Sequence, residues 1–369
     1  MSLSRRKTLA LIGGGLVVAA GLPAGGFLAT RTPHAALQPW ALAGGYGEPR
    51  RNALSYALLA PSPHNLQPWL AELVGDDGVR LHRAPGRRLP ETDPHDRQIT
   101  IGMGCFLELM ALAARAAGHA TALTLYPEGP QGPVAEVRFE QTADDPDPLF
   151  AHVAVRRSCK EPYEDRPLTA EDRAILAAHA RLITRPEPVA ELRTLTSAAW
   201  ETEAGTARTH RESVELMRLG RREIEANPDG IDLGGPLLES LMRTGLLTRD
   251  ALLDPESRAH AQSMEMYRDM LAATPAFAVL TTPGNTRAEQ IAAGRSWMRL
   301  DLAAAGQGVA LHPVSQCLQE YPEMTEHRAR AHELLAAQGE TVQMLGRVGY
   351  GPDVAPTPRW PLEERMLHA

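Results

Sequence analysis

The 369-residue sequence has only three cysteines, Cys105, Cys159 and Cys317, and no CxxC pair. An odd, scattered count argues against a disulfide framework and against a zinc ribbon, and favours buried inert thiols. Aromatic residues make up 5% of the chain, so Ala, Leu and Val must fill the interior. Basic residues are outnumbered, 38 Lys and Arg against 45 Asp and Glu, for a formal charge of −7. With no basic stripe interleaved with aromatics, nucleic acid is not an expected partner. HExxH, EF-hand and GxSxG patterns are all missing, so no metal site and no nucleophile elbow is expected. His327 and His332 lie five apart on a charged stretch, which is not ligand spacing. Gly13-Gly14-Gly15 fits a dinucleotide fingerprint loosely, but no strand precedes it and no acid follows at the right distance.

What is present is enough apolar residue, 43% of the chain, for one large domain or two smaller ones. The first segment does not read as fold. Ser4-Arg5-Arg6-Lys7 precedes an apolar Gly/Ala-rich run over residues 9–28. Paired arginines before such a run resemble a twin-arginine export signal, although Thr8 stands two places after the pair where an aromatic is usual. A membrane anchor is the alternative. Residues 1–35 are therefore assigned as signal or anchor, and 36–48, rich in Pro and Gly, as linker. The export machinery becomes an expected partner of the precursor, and the body is placed outside the cytoplasm or at the membrane.

Beyond residue 48 the pattern is mixed. Residues 49–60 read as a helix ended by Pro61. Strands follow around Gly75-Asp76-Asp77-Gly78, a hairpin-type turn. Residues 99–118 form a long helix, apolar nearly all round, closed by Gly118 and expected in the centre. Two more strands cover 120–126 and 135–139. A second pass begins near Phe150: a helix capped at Thr169, further helices to about residue 226, a Leu/Met-rich stretch over 234–254 that suits a cover, a strand at 276–282, a helix at 288–306, and strands near 308–316 and 342–351. The two passes share an order, a weak internal repeat. The expected class is α+β, with mixed or antiparallel sheets and packed helices in two pseudo-repeated halves, 49–149 and 150–369, the second carrying a candidate lid over 234–254.

Two short stretches carry candidate chemistry. Residues 60–69 read APSPHNLQPW: three prolines frame a His, an Asn and a Gln. Proline fixes φ and removes a donor, so the stretch is a stiff turn, either a plain helix-to-strand connection or a mount for its polar groups. Residues 156–160 read RRSCK. On an extended segment Arg156, Ser158 and Lys160 point the same way. Convergent cations and a hydroxyl suit a phosphate; a solvated basic run before a helix is the alternative.

Together these stretches resemble the nitroreductase-type flavoproteins, which use an A-P-S-x-x-N-x-Q-P-W loop and an R-x-S-x-R/K phosphate motif. In the usual members the phosphate motif comes first; here the order is reversed and the motifs lie about ninety residues apart. That matches the Acg-type branch, with two nitroreductase-like halves in one chain. Asp93-Pro94-His95-Asp96-Arg97, Gly294-Arg295, His312-Pro313-Val314-Ser315-Gln316, Arg347-Val348-Gly349-Tyr350-Gly351 and Thr357-Pro358-Arg359 agree with it. The resemblance implies FMN between the halves, one per chain. It implies that Arg156, Ser158, Lys160 and Arg359 grip the phosphate, with Arg157 beside the flavin. Pro313, Val314, Ser315 and Gln316 would pass the flavin N5 edge, and Ser62, Pro63, His64, Asn65 and Gln67 would come from the other half. The flavin would carry the chemistry, with NAD(P)H as a donor in family terms and a small quinone- or nitro-type acceptor. The chain would be a monomer mimicking a dimer, or a homodimer. An FMN-sequestering protein is the alternative.

Overall fold

The computed structural model describes residues 31–367. The twin-arginine-like run lies outside the described residues. The first element corrects an expectation. The last residues assigned to the signal or anchor, 34–35, and the first assigned as linker, 36–42, carry helix α1 (His34–Leu42), with Pro39 inside it and Ala36 and Pro39 buried. Its Pro/Gly-rich surroundings hid it.

Helix α2 (Pro49–Ala57) starts at Glu48, whose carboxylate accepts from the Arg50 and Arg51 N–H groups, with Pro49 in the first turn. Both features satisfy or remove orphan donors. After the proline-framed loop come β1 (Trp69–Val74) and β2 (Gly78–Arg83), then the long helix α3 (Arg97–Ala116). Asp93 accepts from the Gln98 and Ile99 N–H groups and so caps the start of α3. Strands β3 (His119–Leu125) and β4 (Ala135–Gln141) complete this part.

The second part opens with α4 (Ala170–Ala177), capped by Thr169 as the sequence suggested, and β5 (Arg181–Ile183). Residues 184–275 then carry α5 (Pro186–Gly205), α6 (Ala207–Glu215), β6 (Met217–Leu219), α7 (Gly220–Ala226), β7 (Ile231–Leu233), α8 (Pro236–Arg243), α9 (Arg249–Leu253) and α10 (Arg258–Ala272). Strand β8 (Ala276–Thr282), helix α11 (Arg287–Gly306), β9 (Ala310–Pro313), α12 (Thr325–Leu335), β10 (Thr341–Gly349) and β11 (Met366–Leu367) end the described chain. The class is α+β, as expected.

Two sheets result, ordered β11-β1-β2-β4-β3 and β5-β8-β10-β9. All pairs are antiparallel except β1–β11, which brings the last strand back to the first sheet. Strands β6 and β7 form a separate parallel pair. The runs β2-α3-β3-β4 and β8-α11-β9-β10 follow the same connectivity and the same neighbour order.

Helices α3 and α11 cross between the sheets, and glycine sets how closely. A Cβ on Gly104 would meet the Ile291 carbonyl at 2.2 Å, and one on Gly294 would meet the Ile101 carbonyl at 1.9 Å. The first residue of each helix reaches across. Arg97 donates to the Gln343 and Leu318 carbonyls, and Arg287 to the Asp96 carbonyl and Thr100 Oγ1. One apolar core surrounds this crossing. A second fills the space between the second sheet and α5, α10 and α12.

Candidate functional site

The loop between α2 and β1 is held in an uncommon backbone. His64, Asn65 and Gln67 have φ of 48°, 53° and 50°, a region non-glycine residues seldom adopt and one that concentrates at functional sites. Its packing explains part of this. The loop sits on the start of α3, where a Cβ on Gly102 would already touch Ser62 and Pro63 at 3.4 Å. Ser62 Oγ accepts from the Gln67 N–H at 3.0 Å. Gln67 is fully buried and spends its amide on protein: Nε2 donates to the Pro228 carbonyl at 2.7 Å, and Oε1 accepts from the Trp360 N–H at 2.9 Å. It rivets the loop to the 184–275 segment and to the C-terminal segment. Asn65 Oδ1 accepts from Arg359 Nη1 at 2.7 Å, while its Nδ2 donates to the Pro358 carbonyl at 3.1 Å.

The cations converge beside this loop. Arg359 is 2% exposed. Its Nη groups donate to Asn65, Thr357 and the carbonyls of Leu59, Ala60 and Pro358. Every one of these acceptors is neutral, and the buried Nε has no partner among the described residues. Burial, with the neighbouring Arg156 charge, pulls Arg359 down to about 9, so it stays charged at neutral pH. Arg157 donates to the Ala154 and Arg156 carbonyls. Lys160 is exposed. Ser158 lies in a parallel bridge to Leu311 on β9.

Arg156 departs from expectation. It is buried, with Nη1 on Asp301 Oδ2 at 3.0 Å and Nη2 on the Leu59 carbonyl at 3.1 Å. Its guanidinium staples the end of α2 to α11 rather than standing open to a ligand. Burial raises Asp301 to about 6 despite the Arg156 charge.

Arg157, Lys160 and Arg359 are thus left without a carboxylate ion pair among the described residues, and Asp232 on β7 is the acid that faces two of them. Burial raises Asp232, while Lys160 and Arg359 hold it down. Two histidines complete the surroundings. Burial, then Lys160, lowers His64 to about 4. His312, on β9, is pushed well below its ordinary range by burial, Arg347 and Lys160. Both are neutral, and both have a buried Nδ1 with no partner among the described residues. A buried guanidinium with no carboxylate in ion-pair contact is costly, so the chemistry fits a dianion such as a phosphomonoester.

The loop after β9 is more committed than its motif suggested. The Val314 N–H donates to the Leu345 carbonyl at 2.9 Å and Val314 is fully buried. Pro313 pairs with Gly346 at the end of β9. Ser315 Oγ donates to Gln98 Oε1 at 2.8 Å, and Gln316 Nε2 to the Tyr267 hydroxyl at 3.2 Å.

Sequence reasoning missed four contributors. Trp40, under Arg157 and Arg359, lay in the supposed linker. Asp301 had a signal: it is the acid within the apolar stretch 300–306 of α11. His312 stood in a quoted motif without a role, and Asp232 carried no local signal.

No protein-family model matches the chain. A Mycobacterium tuberculosis H37Rv protein named "Putative NAD(P)H nitroreductase Rv3131" is 23% identical over 327 residues, covering 85% of this chain and 90% of its own. A second protein of that strain, "Uncharacterized protein Rv3127", is 26% identical over 353 residues, covering 85% and 91%. Among solved structures, the FMN-dependent nitroreductase NfnB of Mycobacterium smegmatis, in complex with NADPH, overlaps 58% of this chain and 94% of its own at 18% identity and a TM-score of 0.34. An overlay that loose carries no argument about the site.

Proposed function

We propose that the protein is an FMN-dependent oxidoreductase of the nitroreductase-like type, with one FMN held between two related halves of a single Acg-type chain. The observation that carries this is Arg359: buried, charged, free of any carboxylate partner among the described residues and with an unpartnered Nε. The name of the Mycobacterium tuberculosis relative, matched over most of both chains, supports the redox class. The shared connectivity of the two sheets and the reciprocal glycine contacts of α3 and α11 support the two-half reading.

When bound, FMN would accept hydride from a donor such as NAD(P)H and pass it to a small quinone- or nitro-type acceptor. The chain's own residues bind and orient. Lys160, Arg157 and Arg359 take the phosphate charge, with the Ser158 hydroxyl beside them. Asn65 and the Leu59 and Ala60 carbonyls aim Arg359, and Arg156 with Asp301 fixes the distance between α2 and α11. His64 and His312, neutral at pH 7, offer a buried Nδ1 each to polar ligand atoms. Export by the twin-arginine route belongs to the same reading and would put the enzyme where a donor other than NAD(P)H is needed.

A second reading, FMN sequestration, has its own support. The 184–275 segment closes over the loop: the Gly230 N–H donates to the Asn65 carbonyl, and Asp229 accepts from Arg87, Arg218 and Trp360. Within 234–254, α8 is pinned through Glu239, which accepts from Arg31 and from the Arg221 N–H.

The purified protein is expected to be yellow. Lys160→Gln, at an exposed position, is expected to weaken FMN about tenfold, from loss of one charge-assisted contact, and to leave riboflavin affinity unchanged. A colourless protein that takes up no added FMN overturns both readings. Anaerobic mixing with NADH, NADPH and a reduced quinone in turn separates them: rapid bleaching by any of the three marks the enzyme, persistent colour with all three the sequestering protein.

A further inference from the structure

We propose that α1, through Trp40, is the outer wall of this anion site and that it retains a phosphomonoester in preference to the unphosphorylated analogue; the identity of that ligand rests on the reading above. The Arg157 guanidinium lies 4.4 Å from the Trp40 ring centroid, and the Arg359 guanidinium 5.5 Å. One indole therefore touches two of the cations that have no carboxylate partner among the described residues.

The choice of an aromatic has a physical reason. An acid at this position would hold the two guanidiniums equally well, but it would neutralise them and compete with an incoming dianion. The face of an indole attracts a cation through its quadrupole without cancelling its charge. The guanidiniums stay oriented, one side is shielded from water, and a phosphate meets their full charge. Lower local polarity strengthens that meeting.

The wall is built onto the fold at three points. The Trp40 indole N–H donates to the Thr357 carbonyl at 2.8 Å. The Arg359 N–H donates back to the Ala36 carbonyl at 2.9 Å. Arg31, just before α1, forms an ion pair with Glu239 on α8 at 2.8 Å. These ties run to the C-terminal segment and to the 184–275 segment, and Trp40 also packs against the edge of the main core.

The experiment uses the full chain and the variants Trp40→Ala, Trp40→Phe and Arg31→Ala, with inorganic phosphate, FMN and riboflavin as probes. Inorganic phosphate is expected to change the tryptophan emission of the wild type and not of Trp40→Phe, which isolates the Trp40 signal. FMN release, followed by stopped flow with a trapping flavoprotein, is expected to be at least tenfold faster in Trp40→Ala and several-fold faster in Arg31→Ala. Trp40→Phe should restore slow release. The preference for FMN over riboflavin should fall about tenfold in Trp40→Ala. Equal acceleration of FMN and riboflavin release, or no acceleration in either Trp40→Ala or Arg31→Ala, overturns the wall. A phosphate-dependent Trp40 signal in a wild type that binds no FMN keeps the wall and overturns the cofactor reading. Arg31→Ala carries the test if Trp40→Ala does not fold.

Discussion

Placing one methyl group at the α3–α11 crossing tests whether glycine sets the spacing on which the site depends. On an exposed helix, Gly→Ala stabilises by about 1 kcal/mol through backbone entropy. At residue 104 the new Cβ would meet the Ile291 carbonyl at 2.2 Å, the Ile291 carbonyl carbon at 3.0 Å and the Gly294 Cα at 3.0 Å. All three are backbone atoms of α11, so no side chain can swing away. The helices must separate by about 1 Å, and the well-packed core around them must follow, which puts the cost near the upper end of overpacking, about 3 kcal/mol. For a chain of this size that lowers Tm by about 5 °C. Gly294→Ala drives the same two helices apart from the other side, meeting Ile101 at 1.9 Å. Once one methyl has opened the crossing, the second enters space already made. The double variant should therefore fall short of the summed single costs by at least about 1 kcal/mol. Urea unfolding of the four proteins, followed by far-ultraviolet circular dichroism, completes the cycle. A stabilised Gly104→Ala, or strict additivity, would refute the close crossing.

Two further predictions concern buried carboxylates. Burial pushes Glu203, on α5, up to about 7 from 4.5, against the stabilising hydrogen bond from Gln319. A raised value in the folded state means that the proton is bound more tightly there. Its contribution is full below the unfolded value near 4.5 and is lost as pH rises through about 7, a fall of about 3 kcal/mol at 1.36 kcal/mol per unit. Glu203→Gln should remove that slope, matching wild type at pH 4.5 and exceeding it at pH 8 in denaturant titrations. An unchanged slope counts against the assignment. Asp301→Asn strands the buried Arg156, so it should cost about 3 kcal/mol. Inorganic phosphate should then raise its Tm more than that of wild type, because the site has gained an unneutralised cation; equal shifts would place Arg156 out of reach of the anion.

The sequence pattern made most elements legible. The strand at 276–282, the Thr169 cap and the two central helices all follow from periodicity and capping chemistry. Helix α1 was not legible, because Pro33, Pro39 and the glycines that follow read as breakers, and what holds it is tertiary: Trp40 on two guanidiniums and Ala36 on the Arg359 N–H. Residue types at the site were readable and residue duties were not. Arg156 and Gln67 sit in motif positions, yet their polar atoms go to Asp301, Leu59, Pro228 and Trp360, partners 97–293 residues away along the chain that no local window contains. Asp232 and His312 feel the Lys160 charge only because β7, β9 and the 156–160 stretch converge in three dimensions.

The prediction of a single FMN per chain has a reason in connectivity. Helix α2 leads to β1 through residues 58–68, and this connection holds the Leu59 and Ala60 carbonyls and the Asn65 amide that hold Arg359. The corresponding helix-to-strand step in the second part, α4 to β5, takes only residues 178–180. Three residues, Ala178, His179 and Ala180, cannot form a proline-framed loop or offer that set of acceptors. The cations show the opposite asymmetry: the 156–160 stretch precedes α4, and the segment before α2 supplies Trp40, an aromatic in place of a charge. The Leu59, Ala60 and Asn65 acceptors thus come from the first part and the cations from the second, and the second possible pairing lacks this acceptor loop. Flavin absorbance against protein concentration in the reconstituted protein should therefore saturate at one FMN per chain. Saturation at two would mean that the 178–180 connection does not limit the site and that the acceptor loop is dispensable.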